Sequence, residues 1–218
     1  ISDPLSKFGA KFKLYKKKYL PLFISGSSNL FSIKYLENRG SAQCKSSVIF
    51  GAMRAEGETL IRAKKSRNHT ELLCKYLNLP VKVKNKNNYD EIKVKKVNLI
   101  KSLNYNIPGD ISSSAFFIVL TVLLNKSEIT VKNVNVNPSR TGFITILKRM
   151  GIKIILKNKR MYKGEKISDN FVKSPKIIKS INFPSNLNSG AIDEFLIIFL
   201  AAAKANGVSY FKNLSELN

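Results

Sequence analysis

Two hydrophobic periods alternate along this chain. Thr59-Leu60-Ile61-Arg62 and Ile129-Thr130-Val131-Lys132 change character at every residue, as does Glu91-Ile92-Lys93-Val94-Lys95. That is the period of a strand with one buried face, and it predicts strands there. Residues 44–55, 115–124 and 195–205 are apolar on more than one side of a helical period, which predicts buried helices. Small polar clusters, Gly40-Ser41-Ala42 and Gly109-Asp110-Ile111-Ser112-Ser113-Ser114, lead into the first two. Their Ser and Asp oxygens suit a helix N-terminus, where first-turn amides need acceptors. Extended stretches at 22–25 and 103–107 precede the clusters, and turns at Gly57, Ser127 and Gly207 follow the helices.

The elements recur in a fixed order. Ser66-Arg67 aligns with Ser139-Arg140, and each pair opens a second, amphipathic helix. Strand-like Val81-Lys82-Val83 and Lys153-Ile154-Ile155 follow those helices. The unit is therefore β-α-β-α-β-β, which predicts an α/β architecture with helices packed on sheets that contain parallel strands. Pieces of neighbouring units stand at either end, so the chain is expected to be incomplete at both. Residues 1–107 and 108–218 are expected to belong to two lobes, with Pro108-Gly109 as the hinge.

Composition narrows the function. The chain has 218 residues, a formal charge of +24, two cysteines and one histidine. Only seven of its 38 basic residues are arginines, and Asn and Ile are abundant. Biased codons account for most of such a charge; the functional remainder favours an anionic ligand. The basic clusters at 11–19 and 89–101 contain aromatics, but the second alternates like a surface strand, and no nucleic-acid partner is assigned. The apolar runs fall well short of the ~20 residues of a membrane-spanning helix. Cys44 and Cys74 form neither a disulfide framework nor a metal-ligand spacing, so no metal is expected and a reducing cytoplasm is the expected compartment.

Four segments in register resemble the 5-enolpyruvylshikimate-3-phosphate synthases, nearest their glyphosate-insensitive bacterial class. They are Gly40-Ser41-Ala42-Gln43-Cys44-Lys45-Ser46; Ala55-Glu56-Gly57-Glu58-Thr59 with Ser66-Arg67-Asn68-His69-Thr70-Glu71; Pro108-Gly109-Asp110-Ile111-Ser112-Ser113 with Asn137-Pro138-Ser139-Arg140-Thr141-Gly142; and Ala191-Ile192-Asp193-Glu194. The resemblance implies the enolpyruvyl transferase fold, in two lobes of repeated units. It also implies carboxyvinyl transfer from phosphoenolpyruvate to shikimate 3-phosphate, without a cofactor, by an enzyme that is monomeric at full length. By motif, Ser41, Ala42, Gln43, Ser66, Arg67 and Asp193 bind substrate, Gln43 also lies near phosphoenolpyruvate, and Asp193 is catalytic. The UDP-N-acetylglucosamine enolpyruvyl transferases share the fold and chemistry and are the alternative enzyme; a basic nucleic-acid-binding repeat protein is the alternative outside enzymes.

Each residue also has a plain reading. Taken alone, Ser41-Ala42-Gln43 is a helix start, Asp193 and Glu194 are helix-opening acids, and Asp110 is a cap. Arg140 is expected to be structural, His69 a helix-start residue and Cys44 a buried packing residue. Asn68 stands where the family carries Asp, and Ser189-Gly190-Ala191 lacks the family's Pro-Arg element. A further acid-bearing motif would begin at Glu216-Leu217, so the residues are expected to be the middle of a chain about twice as long and to turn over little alone.

Overall fold

The computed structural model describes residues 1–16 and 19–214. Glu216 and Leu217, where the further motif would begin, lie outside the described residues. The chain divides into two compact units, Ile1–Leu103 and Asn104–Asn218, each with its own apolar core.

The first unit opens with α1 (Ser2–Lys7) and the antiparallel hairpin of β1 (Lys11–Tyr15) and β2 (Tyr19–Ser25). One complete repeat follows: β3 (Lys34–Glu37), α2 (Ala42–Ala52), β4 (Glu58–Lys64), α3 (His69–Tyr76), β5 (Val81–Asn85) and β6 (Tyr89–Lys95). Its sheet runs β3-β4-β6-β5, with β3 parallel to β4 and the other pairs antiparallel. This is the predicted order, with one correction. The stretch at 22–25 belongs to β2, a closing strand of the preceding unit, and β3 is the strand that leads into α2. Residues 22–25, Leu-Phe-Ile-Ser, are the stronger β-formers beside Lys34-Tyr35-Leu36-Glu37, and only pairing with β4 shows that the weaker segment leads into α2. Alternation along β4 and β6 buries Ile61, Ala63, Ile92 and Val94 against Val48, Ile49 and Ala52 of α2. The opposite face carries charge. Lys93 and Lys95 lie 3.4 and 3.9 Å from Glu58, and the Arg62 guanidinium lies 4.0 Å from the centre of the Tyr89 ring. Lys64, Lys93 and Lys95 are thus placed on a solvated sheet face.

The second unit repeats the order with α4 (Ile111–Leu123), β7 (Glu128–Asn135), a 3₁₀ turn at Pro138–Arg140, α5 (Gly142–Arg149), β8 (Ile154–Tyr162) and β9 (Glu165–Lys173). The antiparallel sheet runs β7-β9-β8. Residues 103–107 form no strand, contrary to expectation; the parallel pairing before α4 is a single bridge between Gly109 and Val134. The Asn133 amide, which would carry that ladder back towards residue 107, donates to the Asp169 carboxylate instead. Two 3₁₀ turns, Ser185–Gly190 and Ile192–Glu194, lead into α6 (Phe195–Ala203). Both α2 and α4 begin before the apolar runs because their capping residues set the start: Ser41 accepts from the Cys44 amide at 3.2 Å, and Asp110 from the Ser113 amide at 2.8 Å.

Asn133 and Asn158 occupy left-handed backbone at the register breaks of β7 and β8. Asp169 of β9 accepts from the Asn133 amide and the Asn158 side chain, both at 2.8 Å, so one carboxylate ties both bulges. The core gathers Ile118 and Val122 of α4, Phe143 and Leu147 of α5, and Phe195 and Ile198 of α6. Phe183 and Phe195 pack edge to face at 5.6 Å.

Gly142 opens α5 against the backbone of Gly190, where a β-carbon would stand 2.6 Å from the carbonyl carbon. Alanine at a helical glycine ordinarily gains stability. Here the sign is expected to reverse: Gly142→Ala should cost about 1–3 kcal/mol through overpacking, read as a lower urea midpoint. An unchanged or raised midpoint would show that the two turns separate easily.

Candidate functional site

Five of the six expected site residues lie in the first unit, around the N-termini of α2 and α3. The approach to α2 is fixed by buried Glu37, whose carboxylate accepts from the Arg39 and Gly40 amides at 3.0 and 2.9 Å. Gly40 takes a φ of +80°, a conformation that suits glycine, and delivers Ser41 to the N-cap. The Ser41 hydroxyl also donates to Gln43 Oε1 at 3.3 Å. Ala42 and Gln43 form the first turn, where backbone amides lack intrahelical acceptors and the helix dipole favours an anion.

Ser66 and Arg67 come from the turn between β4 and α3. Two contacts bind α3 to α2 beside them. Lys45 Nζ lies 2.6 Å from Glu71 Oε1, with the side chains 0% and 6% exposed, and the Ser46 and Thr70 hydroxyls are 2.7 Å apart. Both lie within about one helical turn of the expected site residues, so the fold gathers Ser41, Ala42, Gln43, Ser66 and Arg67 into one neighbourhood. The Ser66 hydroxyl is buried and has no hydrogen-bond partner among the described residues. Buried polar groups normally find partners, and this oxygen is itself closed off from solvent. His69 begins α3, as its plain reading expected. Cys44 is only half-buried, contrary to the packing role expected of it; Cys74 is the buried thiol, and burial pushes it up to about 11. The sequence does not distinguish them because each lies on a helix and is followed by a lysine, Lys45 or Lys75.

Asp193 lies in the second unit, on the 3₁₀ turn before α6, where it meets a cluster that sequence reading passed over. Arg140 Nη2 stands 3.4 Å from Asp193 Oδ2, 3.5 Å from Glu194 Oε1 and 3.5 Å from Asp110 Oδ1. It also donates to the Ser112 hydroxyl, which in turn donates to Glu194 Oε1. Glu194 is 2% exposed, whereas the Asp193 side chain is 43% exposed. The turn carrying Arg140 is held by buried Asn137, whose Oδ1 accepts from the Ser139 amide at 2.9 Å and its hydroxyl at 2.8 Å. Arg140 holds the place that Arg67 holds in the first unit, and that repeat alignment was the one signal in the sequence that could have singled it out.

Asp110 caps α4, as its plain reading expected. Burial raises its pKa, but the Ser113 amide and hydroxyl and the Arg140 charge outweigh that effect, and the carboxyl sits below the ordinary Asp value of 3.8. A lowered native value means that the stabilisation is present above the unfolded value and lost as pH falls through the native one. Asp110→Asn should therefore flatten the acid limb of the stability profile below about pH 4. An acid limb identical to that of the parent would show that the cap charge contributes nothing.

Among the described residues there is no group of three or more His, Cys, Asp or Glu that could hold a metal, and no helix is long and apolar enough to cross a membrane. The sequence model of a family described as EPSP synthase (3-phosphoshikimate 1-carboxyvinyltransferase) matches residues 1–218. The 3-phosphoshikimate 1-carboxyvinyltransferase of Caldicellulosiruptor saccharolyticus is 39% identical over all of this chain and half of its own length. That of Legionella pneumophila strain Paris is 38% identical over all of this chain and 49% of its own. An EPSP synthase structure from Acinetobacter baumannii superposes with a TM-score of 0.81 at 34% identity, covering 95% of this chain and 46% of the other. The enolpyruvyl transferase NikO from Streptomyces tendae, at 14% identity, 94% and 48% coverage and a TM-score of 0.67, shares the fold. The chain thus spans about half the length of the curated relatives it matches.

Proposed function

The chain belongs to the EPSP synthase family, and on that footing we propose that the protein carrying it transfers the enolpyruvyl group of phosphoenolpyruvate to the 5-hydroxyl of shikimate 3-phosphate. The observation that carries this reading is the family match over every residue from 1 to 218, with relatives of that activity 39% identical across the whole segment. In the addition step the hydroxyl oxygen bonds to C2 of phosphoenolpyruvate, the hydroxyl loses its proton and C3 gains one. In the elimination step C3 loses a proton and the bond from C2 to the phosphate oxygen breaks, which releases inorganic phosphate. The demands on the protein are a positioned proton carrier and fixed donors for several anionic groups.

In this reading Ser41, Ala42 and Gln43 offer a hydroxyl, helix-terminal amides and a side-chain amide to shikimate 3-phosphate, with Gln43 also near phosphoenolpyruvate. The unsatisfied Ser66 hydroxyl and Arg67 complete the grip on the sugar phosphate, for which a guanidinium is well shaped. Asp193 is the acid/base. The first unit is part of one lobe and the second part of the other, and the enzyme works in the cytoplasm as a monomer.

The test is phosphate release by the longest reading frame that carries these residues, offered phosphoenolpyruvate with either shikimate 3-phosphate or UDP-N-acetylglucosamine. Release with the first acceptor alone is expected. Release with only the sugar nucleotide would replace this reading by the alternative transferase, and release with neither would remove both.

A further inference from the structure

We propose that Arg140 is a positioning residue for Asp193, held by half-buried Ser112 and buried Glu194 so that its charge orients the Asp193 carboxylate at the open side of the cluster. This rests on the reading of Asp193 as the acid/base. Four observations carry it. The Arg140 side chain is only 12% exposed, and a guanidinium so far from water needs nearby carboxylates and acceptors. Its anchors are the more buried ones: Glu194 lies 3.5 Å away, and Ser112 bridges the two by accepting from Arg140 and donating to Glu194. Asp193, by contrast, is 43% exposed and stands 3.4 Å from the same nitrogen. The two turns are also held together through backbone: the Gly142 α-carbon, just after the Arg140 turn, lies 3.5 Å from the β-carbon position of Gly190, just before the Asp193 turn.

Charge explains why the position calls for a cation. Asp110, Asp193 and Glu194 surround one nitrogen, and three carboxylates that close would repel one another without it. All three contacts come from Nη2 at 3.4–3.5 Å, so charge at that point contributes more than the two-pronged geometry of the guanidinium. A lysine at this position is therefore expected to substitute in part.

The test is a double-mutant cycle in the longest reading frame that carries the chain. Arg140→Met should lower kcat about 100-fold, with KM for both substrates within about twofold, because a misplaced proton carrier slows chemistry without weakening binding. Arg140→Lys should recover most of that loss. Asp193→Asn combined with Arg140→Met should be no slower than Asp193→Asn alone, since a residue that acts through Asp193 has nothing left to act on. Additive losses, or a lower melting midpoint with an unchanged kcat per folded enzyme, would overturn the proposal. A fall in kcat for Arg140→Met while Asp193→Asn stays active would instead remove the acid/base reading and, with it, positioning through Asp193. Should the parent transfer to neither acceptor, the carboxylate carbon resonance of Asp193 still decides. It should move in Arg140→Met and largely return in Arg140→Lys, and an unmoved resonance would overturn the proposal without reference to activity.

Discussion

On the proposed reading, and in the longest reading frame that carries the chain, Asp193→Asn is expected to lower carboxyvinyl transfer by about 10²–10⁴-fold, the range that one positioned proton carrier contributes. The substitution keeps the size and planarity of the side chain and removes its ability to carry the proton, so the fold should tolerate it. The Asp193 side chain is 43% exposed and sits on a turn whose neighbour Glu194, at 2% exposure, forms the buried anchor. Affinity for shikimate 3-phosphate should change much less, because its phosphate is assigned to the Ser41, Ser66 and Arg67 neighbourhood. Steady-state kinetics together with equilibrium binding of shikimate 3-phosphate checks both parts. A variant within threefold of the parent would assign Asp193 to the plain role of a helix-opening acid, and one that loses binding and turnover alike would make it a residue that holds substrate or fold and not the proton carrier.

The other large effect concerns stability. Lys45→Met should destabilise the protein by about 3–5 kcal/mol, because it leaves Glu71 charged and buried without its partner. Natural domains are stable by only about 5–15 kcal/mol, so this single change removes a large part of the margin. The pair itself need not be worth that much. Two charges at 2.6 Å with side chains 0% and 6% exposed have given up most of their hydration, and their attraction does little more than offset that cost. Lys45→Met combined with Glu71→Leu should therefore regain most of the lost stability in urea unfolding. Equal destabilisation of the single and double variants would show that the side-chain stems, not the charges, hold α2 to α3. The same comparison separates folding from function: on the proposed reading, the double variant should be folded and should bind shikimate 3-phosphate less well if the pair holds the spacing between Ser41-Ala42-Gln43 and Arg67.

Apart from residues 22–25 and 103–107, the predicted element order matches the structure because most elements announce themselves locally. Thr59, Ile61 and Ala63 face inward along β4 while Glu58, Arg62 and Lys64 face out, a pattern that a strand with one buried face must produce. The candidate site was legible in part for the same reason. Ser41 and Asp110 are capping residues next to helices, and capping is a contact over three residues. Where the expectation slipped, the deciding contact lay elsewhere in the chain. Residues 22–25 were expected to open a repeat, yet they pair with β1, and β3 holds that place because it lies parallel to β4. Cys44 and Cys74 differ in burial because of what packs over them, and neither residue's neighbours in sequence report that.

Periods and short motifs were enough for the α/β class, one β-α-β-α-β-β unit, the family and the residues set at the N-termini of α2 and α4. Tertiary structure alone decided the partners of buried charge. Lys45 meets Glu71 across two helices. Arg140 collects Asp110, Ser112, Asp193 and Glu194 from two separate stretches of chain. A charged side chain looks the same in sequence whether it ends in water or beside an opposite charge. The difference lies in the desolvation it undergoes on burial, and that is set by neighbours which only the folded chain supplies.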